Sequence, residues 1–106
     1  MIKKEDALLD FNMETKFVLG KIRGYKTWPT AYFFVGDKKI KVYEAEIFDN
    51  LTPEEQQTPA GTFVRATSKQ GLVVKTLDCA LRLKTLQIEG GKVIDDKSFL
   101  NGNKLV

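Results

Sequence analysis

The stretch KKIKVYEAEIF, residues 38–48, alternates apolar and polar side chains as a half-buried strand does, but it changes step in the middle. Ile40 and Val42 fall on one face, whereas Tyr43, Ala45 and Ile47 fall on the other. Successive strand side chains point to opposite faces, so one regular strand cannot send both sets to the same core. One extra residue slips the phase, and that is what a β-bulge provides. Residues 80–89, ALRLKTLQIE, repeat the pattern: Leu81 and Leu83 hold one phase, Leu86 and Ile88 the other. Two long strands that each change phase predict a strongly bent sheet closing toward a barrel.

The neighbouring segments fit that sheet. TAYFFV (residues 30–35) enters the first stretch through Gly36-Asp37, a tight-hairpin signal. GTFVRAT (61–67) and GLVVKT (71–76) form a second short-looped pair around SKQG, and DNLTPEEQQTPAG (49–61) reads as a polar loop. Upstream, Val18, Ile22 and Tyr25 share one side at helical spacing with Leu19 nearby, which predicts a helix over residues 13–23. Asn12 is its expected N-cap, Glu14 suits the first turn, and Gly24 is the expected C′ stop. Lys16 and Arg23 share the opposite, solvent-facing side, and Phe17 points away from the apolar stripe. Residues 95–103, DDKSFLNGN, read as a helical turn capped by Asp95 and stopped near Asn101-Gly102. Residues 1–11 show no clear period and read as a lead-in segment, leaving 12–106 as the folded domain. The expected class is mainly β: a small, partly open antiparallel barrel with an N-terminal helix and a short C-terminal helical turn. It is similar to an oligonucleotide-binding fold, although its helix precedes the strands instead of lying between the third and fourth.

Composition narrows the function. A chain of 106 residues with 42% hydrophobic and 29% charged residues is one ordinary globular domain. It contains no histidine and a single cysteine, Cys79. That removes the commonest general base, the Ser-His and Cys-His nucleophile pairs, and the usual soft or imidazole metal sets. The chain is therefore expected not to be an enzyme by itself, and no metal or cofactor is assigned to it. Cys79 has no partner for an internal bridge and reads as a small buried or half-buried residue. With no secretion signal and no apolar run near 20 residues, a cytoplasmic location is expected. The net charge of +3 is too small to argue for nucleic acid, but residues 15–43 hold seven cations and one acid.

The order of the pieces then becomes recognisable. KKEDALLDF, KIRGYKTWPTAY, KIKVYEAEI, PAGTFV, GLVVKTLDCALRLKTLQIEGGK and DDKSFLNGNKLV together resemble the C-terminal domain of the methionyl-tRNA formyltransferases, over nearly the whole chain. The WPTAY corner and the closing LQIEGGK…FLNG are its most specific elements. The resemblance implies a domain that binds and positions initiator Met-tRNA without sequence discrimination. Formylation from 10-formyltetrahydrofolate would occur on a separate N-terminal catalytic domain that this sequence does not contain. It also implies that residues 1–11 are an interdomain linker, with Met1 an added start and the chain an excised piece.

Under that reading the expected tRNA-binding residues are Lys4 in the linker, Lys21, Arg23 and Lys26 at the helix end, and Lys39 and Lys41, which alternate with Ile40 and Val42 and so face outward. Each has the plain alternative of a solubilising surface charge, and Arg23 the further one of capping the corner. Trp28 and Pro29 are read as a structural corner, with Trp28 plugging one end of the barrel, ahead of a role in stacking on RNA. The competing function is a protein-interaction module using the same basic face or the aromatics Phe17, Phe33 and Phe34.

Overall fold

A computed structural model describes residues 4–25 and 30–102, with Lys4 described by its backbone alone. The two phase changes read from the sequence are both present. β2 (Lys38–Ile47) and β5 (Ala80–Ile88) pair antiparallel through Val42↔Leu86, Glu44↔Thr85 and Ala45↔Leu83, so Tyr43 and Lys84 are each the extra residue of a bulge. Ile40 and Val42 are buried before the slip and Ala45 packs on the core after it, while Ile47 is exposed. On β5, Leu81, Leu83 and Leu86 are all buried.

β1 (Tyr32–Val35), β3 (Phe63–Thr67) and β4 (Gly71–Lys75) complete a sheet in the order β1-β2-β5-β4-β3. The two-residue β6 (Ile94–Asp95) pairs with Thr85 and Leu86 of β5, just past the point where β4 stops pairing at Arg82. The bulge on β5 thus divides its edge between two partners. β1 and β3 stand at opposite ends of the order, yet Phe33 and Phe63 bring their ring centroids to 5.9 Å. The sheet therefore curls until its edges touch through side chains without joining by hydrogen bonds, which is a partly open barrel. Its interior holds Ile40, Val42, Leu72, Val74, Leu81, Leu83 and Leu86, with Phe99 and Leu100 from the last helix. Each fully buried side chain of this kind contributes roughly 1.5–3 kcal/mol, against ~0–1 for an exposed ion pair, so the core sets stability and charge sets position.

α1 (Thr15–Gly24) buries Val18, Leu19 and Ile22 against this core, as its spacing requires. Its termini differ from expectation. Asn12 is not the cap; Glu14 occupies that position without a side-chain cap bond. The cap comes from across the fold, where Asp78 Oδ1 accepts the Thr15 N–H at 2.8 Å and the Thr15 hydroxyl at 2.7 Å. Thr15 Oγ1 also lies 2.6 Å from Thr76 Oγ1. The Thr15 hydroxyl first, then its N–H, hold the Asp78 carboxyl below the usual carboxylate range. Replacing Asp78 by alanine is expected to cost ~1–2 kcal/mol of unfolding free energy, read from urea denaturation; an unchanged midpoint would discount the cap. Gly24 is the last helical residue and does not adopt positive φ, so it is not a left-handed stop.

Two further departures matter, and the lead-in segment is seen packed on the domain. The 49–61 loop contains a helical turn, α2 (Pro53–Gln56), closed by a capping box in which Thr52 and Glu55 exchange backbone bonds. Arg65 fastens it, donating to Glu55 at 3.1 Å and to the Asn50 carbonyl at 3.0 Å. Phe33, offered above as an exposed docking residue, is buried between Phe11 and Phe63 because it shares the inward phase of β1 with its partner Ile40. In the lead-in segment, a 3-10 turn (Lys4–Ala7) is followed by a bridge from Leu8 to Tyr32 and a 2.8 Å bond from the Leu9 N–H to the Tyr32 carbonyl. Ala7 and Leu9 are buried there.

α3 (Asp96–Gly102) starts as expected, with Asp95 Oδ1 accepting the Ser98 N–H at 2.9 Å; residues beyond its expected stop near Asn101-Gly102 lie outside the described residues. Cys79 is half-buried, its Sγ donating to the Phe48 carbonyl at 3.2 Å.

Candidate nucleic-acid interface

The two-residue turn at Gly36-Asp37, with Gly36 at φ +62°, fixes the register of the first hairpin. Phe33 faces Ile40 on the inside, so the outward pairs are Phe34↔Lys39 and Tyr32↔Lys41. Each couples an aromatic ring to a cation. Tyr32 and Phe34 meet edge-on, with centroids 5.6 Å apart and planes at 87°. The Lys39 ammonium sits 4.3 Å from the Tyr32 ring centroid, a distance at which the ring face attracts it. Lys41 lies across from Gln87 of β5, whose Oε1 accepts the Tyr43 hydroxyl at 2.6 Å.

A third cation joins from the helix. Lys21 Nζ donates to the Leu8 carbonyl at 3.0 Å, and Leu8 is the bridge partner of Tyr32. Lys39 and Lys41 flank Tyr32, one on its ring and one as its register partner, and Lys21 is tied to Leu8, the bridge partner of Tyr32. Arg23 is exposed in the last turn of α1, but two positions from Lys21 it points to a different side of the helix. Lys4 begins the 3-10 turn. Lys26, Trp28 and Pro29 lie outside the described residues.

Charge on this face reverses at the bulge. Toward the hairpin turn, β2 presents Lys39 and Lys41; beyond Tyr43 it presents Glu44, which accepts the Thr85 hydroxyl at 2.8 Å, and Glu46, 3.7 Å from Arg82. Asp37 in the turn and Glu89, whose N–H donates to the Lys39 carbonyl, are acids beside the hairpin lysines, and Glu5, Asp6 and Asp10 flank Leu8 in the chain. The ion pairs among the described residues are Arg65–Glu55, Arg82–Glu46 and Arg82–Asp96, and none includes Lys21, Arg23, Lys39 or Lys41.

Sequence reasoning singled out Lys21, Lys39 and Lys41 but did not note Tyr32, Tyr43 and Gln87 beside them. The signal was available for the first: a two-residue turn at 36–37 pairs 34 with 39 and 32 with 41, placing two rings between the lysines. Among the described residues no group of three or more Cys, Asp or Glu is arranged to hold a metal ion, and no helix is long and apolar enough to cross a membrane.

Comparison with known proteins gives a consistent picture. The formyl transferase C-terminal domain family matches residues 1–104. The methionyl-tRNA formyltransferase of Treponema denticola is 31% identical over 104 residues, which are 97% of this chain and 32% of that protein. The methionyl-tRNA formyltransferase of Sulfurihydrogenibium sp. is 33% identical over 107 residues, covering 98% of this chain and 32% of that protein. The chain thus spans about a third of the length of these curated relatives. Among solved structures, HypX from Aquifex aeolicus in complex with tetrahydrofolic acid superposes with a TM-score of 0.72 at 18% identity, over 93% of this chain and 17% of that one. At that identity the likeness establishes the fold.

Proposed function

Because the chain belongs to the formyl transferase C-terminal domain family, we propose that it is the tRNA-binding part of a cytoplasmic methionyl-tRNA formyltransferase. It holds initiator Met-tRNA by its backbone and orients the aminoacylated end toward a separate N-terminal catalytic domain, which binds the formyl donor. Residues 1–11 join the two, and Lys4 lies where RNA crosses between them. Formyl transfer is assigned to the other domain, since this chain has no histidine to act as base.

The single observation that carries the reading is the placement of Lys39 and Lys41 beside Tyr32, with Lys21 tied to its bridge partner Leu8 and no ion pair among the described residues using them up. A-form RNA hides its base edges in a deep major groove, so a small rigid domain reads phosphates, 2′-hydroxyls and shape. Lysines placed on phosphates release condensed counterions, and affinity then falls with salt. Three such contacts imply a loss of at least about tenfold between about 50 and 200 mM salt. The Lys39→Ala, Lys41→Ala double variant is expected to weaken binding of labelled bulk tRNA about tenfold at low salt and to lower the salt slope by about 2. Absence of any tRNA binding at low salt would sink the proposal. A protein-docking role for the exposed Phe17 and Phe34 predicts instead a partner whose affinity barely responds to salt.

A further inference from the structure

We propose that Phe34 is a stacking platform for one unpaired nucleobase of the bound RNA, with Lys39 and Lys41 taking the phosphates that lead away from it. The inference rests on the tRNA-binding reading and adds to it a contact with a base.

Phe34 and Phe17 are the most exposed aromatic side chains named on the described surface, each at 54%. A single exposed phenylalanine needs no explanation. The two differ in their surroundings. Phe17 lies on a helix with its neighbour Lys16 5.3 Å from the ring and, among the described residues, no second ring against it. Phe34 is on a strand paired in register, and its ring meets that of Tyr32 edge-on at 87°. Tyr32 is itself buried and carries Lys39 on its face. The exposed ring is therefore braced on one edge by a buried neighbour and has less side-chain freedom to lose on binding than an isolated surface ring.

A base offers an apolar π-face and brings a phosphate with it. Lys39 lies directly across from Phe34, and Lys41 stands two residues further along β2, ~7 Å away. The backbone leaving a stacked base meets these two ammonium groups in turn. Beyond Tyr43 the same face turns acidic at Glu44 and Glu46, which ends the favourable track there. Inside a duplex each base is already stacked on its neighbours and turned from the surface, so the class of ligand is an unpaired base in a loop, bulge or end.

The test compares two RNAs of equal phosphate number, a stem-loop with a fluorescent adenine analogue in its loop and a blunt duplex, titrated at two salt concentrations. Phe34→Ala is expected to weaken the stem-loop about tenfold and to abolish the fluorescence change at the analogue. It is expected to leave duplex affinity and the salt slope unchanged, because no phosphate contact is lost. Phe34→Tyr should keep stem-loop binding and Phe34→Leu should not. Equal weakening of both RNAs, no weakening, or full binding by the leucine variant overturns stacking while the lysine contacts stand. Failure of the unmodified chain to bind either RNA at low salt removes both this inference and the reading beneath it.

Discussion

Gly71→Ala should remove ~3–4 kcal/mol of folding free energy, a large share of the ~5–15 kcal/mol typical of a domain. Gly71 opens β4 at φ +87°, where an L side chain costs ~1–2 kcal/mol on its own. A Cβ there would lie 2.5 Å from Asp96 Oδ2 and 2.9 Å from Arg82 Nε. The carboxylate is the end of a side chain, yet it cannot swing aside. Asp96 is buried, accepts from Arg82 Nε at 2.9 Å and from the Leu72 N–H at 3.0 Å, and is enclosed where α3 meets β4 and β5. Urea denaturation reads the loss directly. A change below ~1 kcal/mol would mean that the ion pair yields to a methyl group at little cost.

Asp96→Ala should be nearly as damaging, at ~2–4 kcal/mol, because it leaves the buried Leu72 N–H without an acceptor and takes the closest carboxylate from Arg82. Glu46, 3.7 Å from the guanidinium, and partial exposure of Arg82 soften the effect. The same residue makes stability depend on pH. Burial disfavours the charged form of Asp96, but the Arg82 hydrogen bond, the Leu72 N–H and the guanidinium charge outweigh it, and the carboxyl is held below its ordinary range. A carboxyl depressed by folding contributes stability above its unfolded value, near pH 4, and that contribution drains away as pH falls through the lower folded value. Urea midpoints at pH 7 and pH 3 should therefore differ more for the parent chain than for Asp96→Ala. Asp78, also held low, leaves a residual acid dependence in the variant. Equal differences would remove Asp96 from the account. Since Gly71 and Asp96 act on the same atoms, the double variant should lose less than the sum.

The elements that hold this corner were invisible in the sequence, and the reason is separation. Asp96, Arg82 and Gly71 are ordinary residues in their own segments; only the closure of α3 over β4 and β5 brings them together. The same applies at α1, where Asn12 was a sound local cap and lost to Asp78, 63 positions from Thr15 in the chain. Periodic features were legible because burial imposes a period. The slips at Val42-Tyr43 and Leu83-Leu86 announced both bulges and hence the curl, and the outward phase of Lys39 and Lys41 followed from Ile40 and Val42. Two further signals are legible in the sequence: the Thr52…Glu55 capping box, and the parity that sends Phe33 inward with Ile40 and Phe34 outward with Lys39. A rule of period two sorts side chains into faces, but which face meets the core must be taken from a neighbour.

The lead-in segment laid against Tyr32 has a colloidal consequence. A curled sheet that does not close retains two rims of unsatisfied peptide groups, and such rims recruit strands from other molecules. Leu8 and Leu9 occupy the rim of β1, while the rim of β3 is distorted by the bulge at Val64 and carries the guanidinium of Arg65. Trimming the chain past Leu9 would strip one of these guards and also remove the buried Ala7 and Leu9, so self-association into aggregates and a fall in thermal stability should appear together.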